Sequence, residues 1–578
     1  MVEDGRGQVD DDMGRLPGIS GRARRRPRPG LLLILVLVIV AAIAASFVVL
    51  PRYLEEDDKA TAKRPPSGMA PGRFAGEWKA QVEGGAPLGY HEPTGSLFLW
   101  FSDRPASPAG LFVLDAKSGK RKWQSPVNWD IEIEYLPVDP VLGDVVVVAG
   151  KDPYGESRLA GLGIRDGKLL WSRPFPQIRP EMAFSDGFVV MQTDESSVRA
   201  IGAARGTDRW KWSAPAGCSV VVVHGSDQLV VVETLCGERR DIRSLDRADG
   251  HELWKRRVDM RVGSEYSPNW GVRGGLVGLT VGEQMWAYNA RGKTVFDKAK
   301  GASCGVGADC FAAGGDVGVL RFASGDDNIV QAVDLSDGKP LWRHHMTADV
   351  LQVRGDSLHI FGRFPEPLFP HFLATVDLRT GTYLLSATPA PAPDATGDDF
   401  IGVVRNRVLM NESLGSFTAY RTVPAAKGFF GGALPDAWPD ACRMLRPQAV
   451  ADVMGDVHSY AAVPERLAFL GSRLPRPTVC RYRPDPVDGP LVSARIVWVA
   501  PTEEDAAGIM DRFVEAGGVT QHPGVGDAAA QRMPWQGQEE QTVYFRVGRY
   551  LAAVSVEGQA DRAPELAKRA AEGLRRLS

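Results

Sequence analysis

Short apolar runs of strand length alternate with polar, glycine-bearing turns through most of the chain, and one phrase recurs. Its clearest copy is Val333-Asp334-Leu335-Ser336-Asp337-Gly338-Lys339-Pro340-Leu341-Trp342. An apolar run ends in Asp, turns through a polar step to Gly, and resumes with an aromatic residue four positions later. The phrase returns as Asp115…Gly119…Trp123 and Asp246…Gly250…Trp254. Weaker copies are Asp166-Gly167…Trp171, Arg205-Gly206…Trp210, Asn289…Gly292…Phe296 and Asp377…Gly381…Leu385. The slots Trp123, Trp171, Trp210, Trp254, Phe296, Trp342 and Leu385 stand 39 to 48 residues apart. Self-similarity at that period, with four short strands per period, predicts the blades of an all-β propeller.

The phrase has a local cause. Asp at the turn accepts hydrogen bonds from amides two or three residues on, and Gly supplies the left-handed conformation. The Trp falls on the outer strand, where a flat side chain fills the wedge between blades. Two other uses of these residues compete: a calcium loop, although the closing Glu is missing, and a quinone stacked on a Trp.

Glu77-Trp78-Lys79 reads as an outer strand without a blade of its own, with Trp78 one period before Trp123. Ser416 to Arg421 reads as an inner strand without an outer partner. Together they are expected to complete the last blade and close the ring, which removes the exposed sheet ends. Inner strands at Phe112, Leu159, Val198, Ile242, Met285, Val330, Leu373 and Phe417 give eight blades over residues 74–430, with seven as the alternative.

After residue 430 the period changes. Residues 435–578 read as a C-terminal α+β domain. Arg446-Pro447 to Met454-Gly455 has the Pro and Gly boundaries of a helix. Ala506, Ile509, Met510, Phe513 and Val514 follow helical spacing, as do Leu566, Ala570, Leu574 and Leu577. Val492, Ala494, Ile496 and Trp498 alternate as a strand, and a hairpin turns at Gly548-Arg549.

Ahead of the propeller, Leu31 to Leu50 are apolar or small and uncharged, long enough for one transmembrane helix at 30–50. Arg22, Arg24, Arg25, Arg26 and Arg28 precede it; Glu55, Glu56, Asp57 and Asp58 follow. The positive-inside rule places 1–29 in the cytoplasm, as a disordered tail, and the rest outside the cell membrane. Residues 51–73 read as a linker. A cleaved signal peptide is the competing reading, but the apolar run exceeds its usual length.

The chain has 578 residues and a net charge of −3, so no basic field points to nucleic acid as a partner. Six cysteines, Cys218, Cys236, Cys304, Cys310, Cys442 and Cys480, all follow the apolar segment. An even number in an oxidising compartment suggests disulfides. A hairpin centred on Asp227 sets Cys218 opposite Cys236, and Cys304 and Cys310 bracket a Gly-rich loop. Metal binding is the rival use, without Cys-x-x-Cys or His spacing to support it.

On these residues the stretch from Trp78 to Arg421 resembles the quinoprotein-like (PQQ-like) propeller repeat family. The resemblance implies the fold more strongly than an activity. Quinoprotein dehydrogenases of that superfamily carry adjacent cysteines beside the cofactor and a calcium site, and this chain has no adjacent cysteines. A propeller subunit of the outer-membrane assembly machinery in the same superfamily works by protein contact. The C-terminal portion resembles a small domain of unknown function from secreted actinobacterial lipoproteins. Asp440-Ala441-Cys442…Leu445, Cys480-Arg481-Tyr482 and Gly524-Val525-Gly526-Asp527-Ala528-Ala529 carry that likeness, which implies pairing of Cys442 with Cys480.

Other motifs add no chemistry. Gly301-Ala302-Ser303-Cys304-Gly305 matches a nucleophile elbow but lies in an all-β array. Gly524 to Ala529 matches a loose dinucleotide fingerprint without a βαβ unit. His344 and His345 are adjacent on a strand and point to opposite faces. Asn411-Glu412-Ser413 is a glycosylation sequon. The expected function is a protein-interaction or ligand-binding platform at the cell envelope, non-catalytic and without a cofactor. The alternative is an enzyme with an axial site, such as a dehydrogenase using pyrroloquinoline quinone with calcium.

Overall fold

A computed structural model describes residues 72–577 other than 83–84, 102–109, 126–129, 132–140, 153, 176–181, 186, 259–268, 283, 299–303, 305–309, 325–326, 364–370, 388–399, 405–406, 414, 425–431, 456–458, 470–471, 486–488, 516–518 and 533–539. The segments read as tail, transmembrane helix and most of the linker fall outside the described residues. Among the described residues no helix is long and apolar enough to cross a membrane.

Eight antiparallel blades follow one another along the chain: 85–124, 130–174, 182–213, 218–258, 269–298, 311–345, 348–387 and 400–424. Blade 6 is typical, with strands Phe311–Gly314, Val317–Ser324, Asp327–Asp334 and Pro340–His345. Blade 2 splits its first strand into Asp130–Ile131 and Val141–Leu142. The last blade receives its fourth strand, Gly72–Gln81, from the start of the described chain, with Trp78 opposite Ala419 and Gln81 opposite Ser416. That strand begins inside the stretch read as linker. It also runs parallel to the outer strand of blade 7, Gly72 opposite Ser386. The strands counted from sequence as inner are the third of each four, one in from the edge.

Both faces of a blade are covered, so its central strands read as unbroken apolar runs. Val146, Val147, Val148 and Ala149 are all fully buried. Each of the eight junctions holds its own buried apolar cluster. Blades 8 and 1, for example, share Leu97, Leu99, Leu409 and Phe417.

The recurring phrase latches neighbouring blades. Within each turn the Gly amide bonds back to the Asp carbonyl, as Gly119 to Asp115, Gly250 to Asp246 and Gly338 to Asp334, each at 2.8 Å, and Gly381 to Asp377 at 2.9 Å. The Asp carboxylates take the following amides, with Asp334 Oδ1 accepting from Ser336 at 2.8 Å. In blade 2 the turn opens on Gly163 rather than Asp166, since Gly167 bonds to the Gly163 carbonyl. In six of the eight blades an indole reaches into the next blade's turn. Trp78 donates to the Ala116 carbonyl at 3.1 Å and Trp123 to Ile164 at 3.0 Å. Trp171 donates to Ala203 at 2.6 Å and Trp210 to Arg247 at 2.8 Å. Trp254 donates to Ala290 and Trp342 to Leu378, both at 2.8 Å. The turn Gly faces the same ring: a Cβ at Gly250 would stand 2.6 Å from Trp210.

Leu385 departs from the expected slot. In the blades carrying an aromatic slot the third and fourth strands pair through a register shift; in blade 7 the register is unbroken. Without the bulge, side-chain direction slips by one residue. Leu385 packs with Trp342 and Ala374, and Leu384 takes the side towards blade 8.

Beyond blade 8 lies a seven-stranded antiparallel sheet, ordered Ser459–Glu465, Val479–Asp485, Leu491–Val499, Tyr550–Glu557, Glu540–Val547, Ala528–Arg532 and Val519–Gln521. Helices Ala441–Met444, Pro447–Met454, Glu503–Glu515 and Ala563–Arg575 accompany it. The last buries Leu566, Ala570 and Leu574. The apolar cluster between blades 6 and 7 is continuous with the core of this sheet.

Candidate functional site

Antiparallel alternation sorts the connections of the propeller to two ends. At one end lie the links between first and second strands and the Asp-to-Gly turns, which are short: Arg354 and Ser357 are joined by 355–356, Arg273 and Leu276 by 274–275. At the other end lie the second-to-third links and the crossovers between blades. There the strand ends Phe101 and Gly110, Val258 and Asn269, Arg363 and His371, and Ala387 and Phe400 are separated by longer stretches of sequence than the two-residue turns of the first end. Variable connections on a rigid frame are where binding surfaces are usually built.

Both propeller disulfides sit at the end with the long connections. Cys218 opens the first strand of blade 4 and Cys236 closes the second, with Cα atoms 4.1 Å apart. Cys304 and Cys310 are bonded within the crossover to blade 6. Cys442 and Cys480 are bonded beside the C-terminal sheet. Tyr154, between the second and third strands of blade 2, is 92% exposed. Its amide bonds to Asp152 Oδ1 at 2.9 Å, and Glu156 N bonds to the same oxygen at 3.0 Å, so the side chain projects from a braced loop.

Blade 4 also carries buried charge near this end. Asp241 is met by Arg239 at 3.4 Å, Arg243 at 3.3 Å and Lys255 at 3.5 Å. On the opposite face Glu233 pairs with Arg240 and accepts from Trp270 Nε1 at 3.1 Å. These ions satisfy one another across strands and hold the Cys236 corner.

At the opposite end a cleft of about 590 Å³ opens between blades 7 and 8. His359, Thr375 and Leu384 form one row across its blade 7 wall, and Val403 stands on blade 8. Burial and the nearby Arg354 push His359 down to about 4, so the ring is neutral near neutral pH. Its Nδ1 lies 3.3 Å from Thr375 Oγ1.

The remaining sequence candidates are architectural. Asp246, Asp249 and His251 come within metal-binding distance of one another. Their oxygens already accept from the amides of Ala248 and His251, and Asp249 lies 2.6 Å from His251 Nδ1. His344 donates to the Gly381 carbonyl at 2.8 Å inside the blade junction, while His345 points to the exposed face. Cys304 of the elbow-like motif is held in its disulfide. Asp527 of the Gly-rich C-terminal motif accepts from Gly548 N at 2.6 Å and Arg575 at 3.2 Å, tying a hairpin to the last helix. Asn411 of the sequon lies half-buried on a central strand of blade 8. The six cysteines form three disulfides between non-adjacent residues, so the adjacent pair associated with bound quinone is not available.

Sequence comparison adds a family. A family profile described as outer membrane protein assembly factor BamB matches residues 109–267 and, overlapping, 238–422. Similar solved structures include BamB from Moraxella catarrhalis, 15% identical, covering 60% of this chain and 99% of that one, with a TM-score of 0.37. The computationally designed Ika8 protein is 13% identical, covering 59% and 98%, with a TM-score of 0.39. Sqt1 of Saccharomyces cerevisiae is 11% identical, covering 61% and 99%, with a TM-score of 0.35. No curated protein matches the chain. The family matches together span more than half of the 578 residues, and the chain belongs to the PQQ-like repeat family described by outer membrane protein assembly factor BamB.

Proposed function

We propose that this chain is a non-catalytic protein-binding platform at the cell envelope. An apolar helix at 30–50 anchors it, residues 1–29 face the cytoplasm, and the propeller projects outside. One observation carries the reading: the long connections, both propeller disulfides and the exposed Tyr154 share one end of the ring. A surface stiffened before contact loses less entropy on binding, and exposed aromatics serve as anchors at protein interfaces. Family membership supports protein contact as the mode of action. The charge distribution of residues 1–58 supports the orientation.

Capture from native membranes tests this directly. Full-length chain is expected to retain a defined protein partner, and Tyr154→Ser to weaken it by about tenfold or more while the melting temperature stays unchanged. Equal retention by both proteins would count against this end as the binding face.

A further inference from the structure

The cleft between blades 7 and 8 replaces a side chain that the other junctions possess. Six junctions are filled by an indole that reaches the next turn, and the junction of blades 5 and 6 is filled by Phe296. At the junction of blades 7 and 8 the unbroken register presents Leu384 instead, and the space stays open. Blade 8 has no Asp-to-Gly turn for an indole to reach, because its fourth strand comes from residues 72–81.

The walls of this space carry polar and charged groups beside the apolar cluster of the same junction. Arg354 lines it with a buried Nε that has no hydrogen-bond partner, and Arg354 forms no ion pair among the described residues. Ser357, Thr375 and Ser386 add hydroxyls. Glu92, from the first turn of blade 1, lines the same cleft and likewise forms no ion pair among the described residues. Two opposite charges thus line one cleft without meeting each other. A buried guanidinium nitrogen without an acceptor is costly, and the planar fork fits a carboxylate best. A carboxylate on another wall suits an ammonium group and disfavours a polyanion. The volume lies within the usual range for small-ligand sites.

We propose that this cleft binds a small zwitterion of the amino-acid class, its carboxylate on Arg354 and its ammonium on Glu92. The site is independent of the protein-binding end, and its ligand would make blade 8, the closing blade of the ring, more stable.

The test uses purified full-length chain, with melting and calorimetric titration against each proteinogenic amino acid. Acetate and methylamine serve as the two halves of the ligand. At least one amino acid is expected to bind saturably, with acetate and methylamine each weaker by about tenfold or more. Arg354→Gln should abolish binding. Leu384→Trp, which restores the ring found in other wedges, should abolish it too while keeping the ligand-free melting temperature. Glu92→Gln should weaken the amino acid and leave acetate unchanged. No binding by any amino acid, or binding that survives Leu384→Trp, overturns the proposal. Acetate binding as tightly as every amino acid, with no effect of Glu92→Gln, overturns the zwitterion assignment.

Discussion

The side-chain amide of Asn289 donates to the carbonyl of Leu335 at 2.7 Å, supplying the bond that an indole makes at other junctions. Leu335 follows Asp334 just as Ala116 follows Asp115, so its carbonyl is the latch acceptor of blade 6. Phe296 occupies the tryptophan slot and has no donor. Asn289 also keeps the turn role of Asp, since its Oδ1 accepts from Arg291 and Lys293 amides at 3.0 Å. Two departures from the repeat, Asn for Asp and Phe for Trp, therefore compensate each other.

Asn289→Asp keeps the turn acceptor and removes the donor, leaving a buried carbonyl unsatisfied. The expected cost is about 1–3 kcal/mol. Adding Phe296→Trp should restore part of that loss by returning the indole N–H. A double-mutant cycle by denaturant unfolding reads the coupling; strictly additive costs would contradict the compensation.

Gly250→Ala and Gly217→Ala separate backbone strain from the latch. Both glycines have positive φ, 78° and 76°. A Cβ at Gly250 meets the Trp210 ring, whereas at Gly217 nothing lies within 4 Å. Gly217→Ala should cost about 1 kcal/mol and Gly250→Ala at least about 1 kcal/mol more. Similar losses in melting experiments would argue against the ring–turn contact.

Much of the propeller is legible in the sequence because the motif that carries the latch is local, although the latch itself joins neighbouring blades. Asp, Gly and Trp lie within nine residues, so their spacing survives as a period. Closure by Trp78 is legible for the same reason, one period before Trp123. The slot at Leu385 is misread because a missing bulge shifts direction without changing residue count. The cleft is not legible: Glu92 and Arg354 approach only when the ends of the propeller sequence meet. The weak copies held the signal, since the Leu385 copy is also the one facing a blade without a turn.

Acid should weaken the fold between pH about 6.5 and about 4. Burial, with Arg354 beside His359 and Arg363 beside His371, lowers both histidines to about 4. Their folded values lie below the unfolded value, so the unfolded chain takes up protons first and stability falls with pH. Each contributes up to about 3 kcal/mol by the lower limit. Melting curves across this window should flatten in His359→Asn/His371→Asn; an unchanged slope would assign the acid sensitivity elsewhere.

The disulfides are expected to contribute in the order of the loops they close. Cys442–Cys480 spans 38 residues, Cys218–Cys236 spans 18 and Cys304–Cys310 spans 6. Chain-entropy arguments give about 4, 3 and 2 kcal/mol. Paired Cys→Ser variants, compared by unfolding midpoint, should rank in that order, and a reversed ranking would point to strain rather than chain entropy.

The most direct measurement is site-specific photo-crosslinking of the full-length chain in its native membrane. A crosslinker at Tyr154 samples the end with the long connections, and one at Asp249 samples the end with the tight turns. A discrete protein adduct is expected from position 154, competed away by excess unlabelled chain, and none from position 249. Adducts from position 249 alone would contradict binding at the end that carries Tyr154, and so would the absence of an adduct from either end.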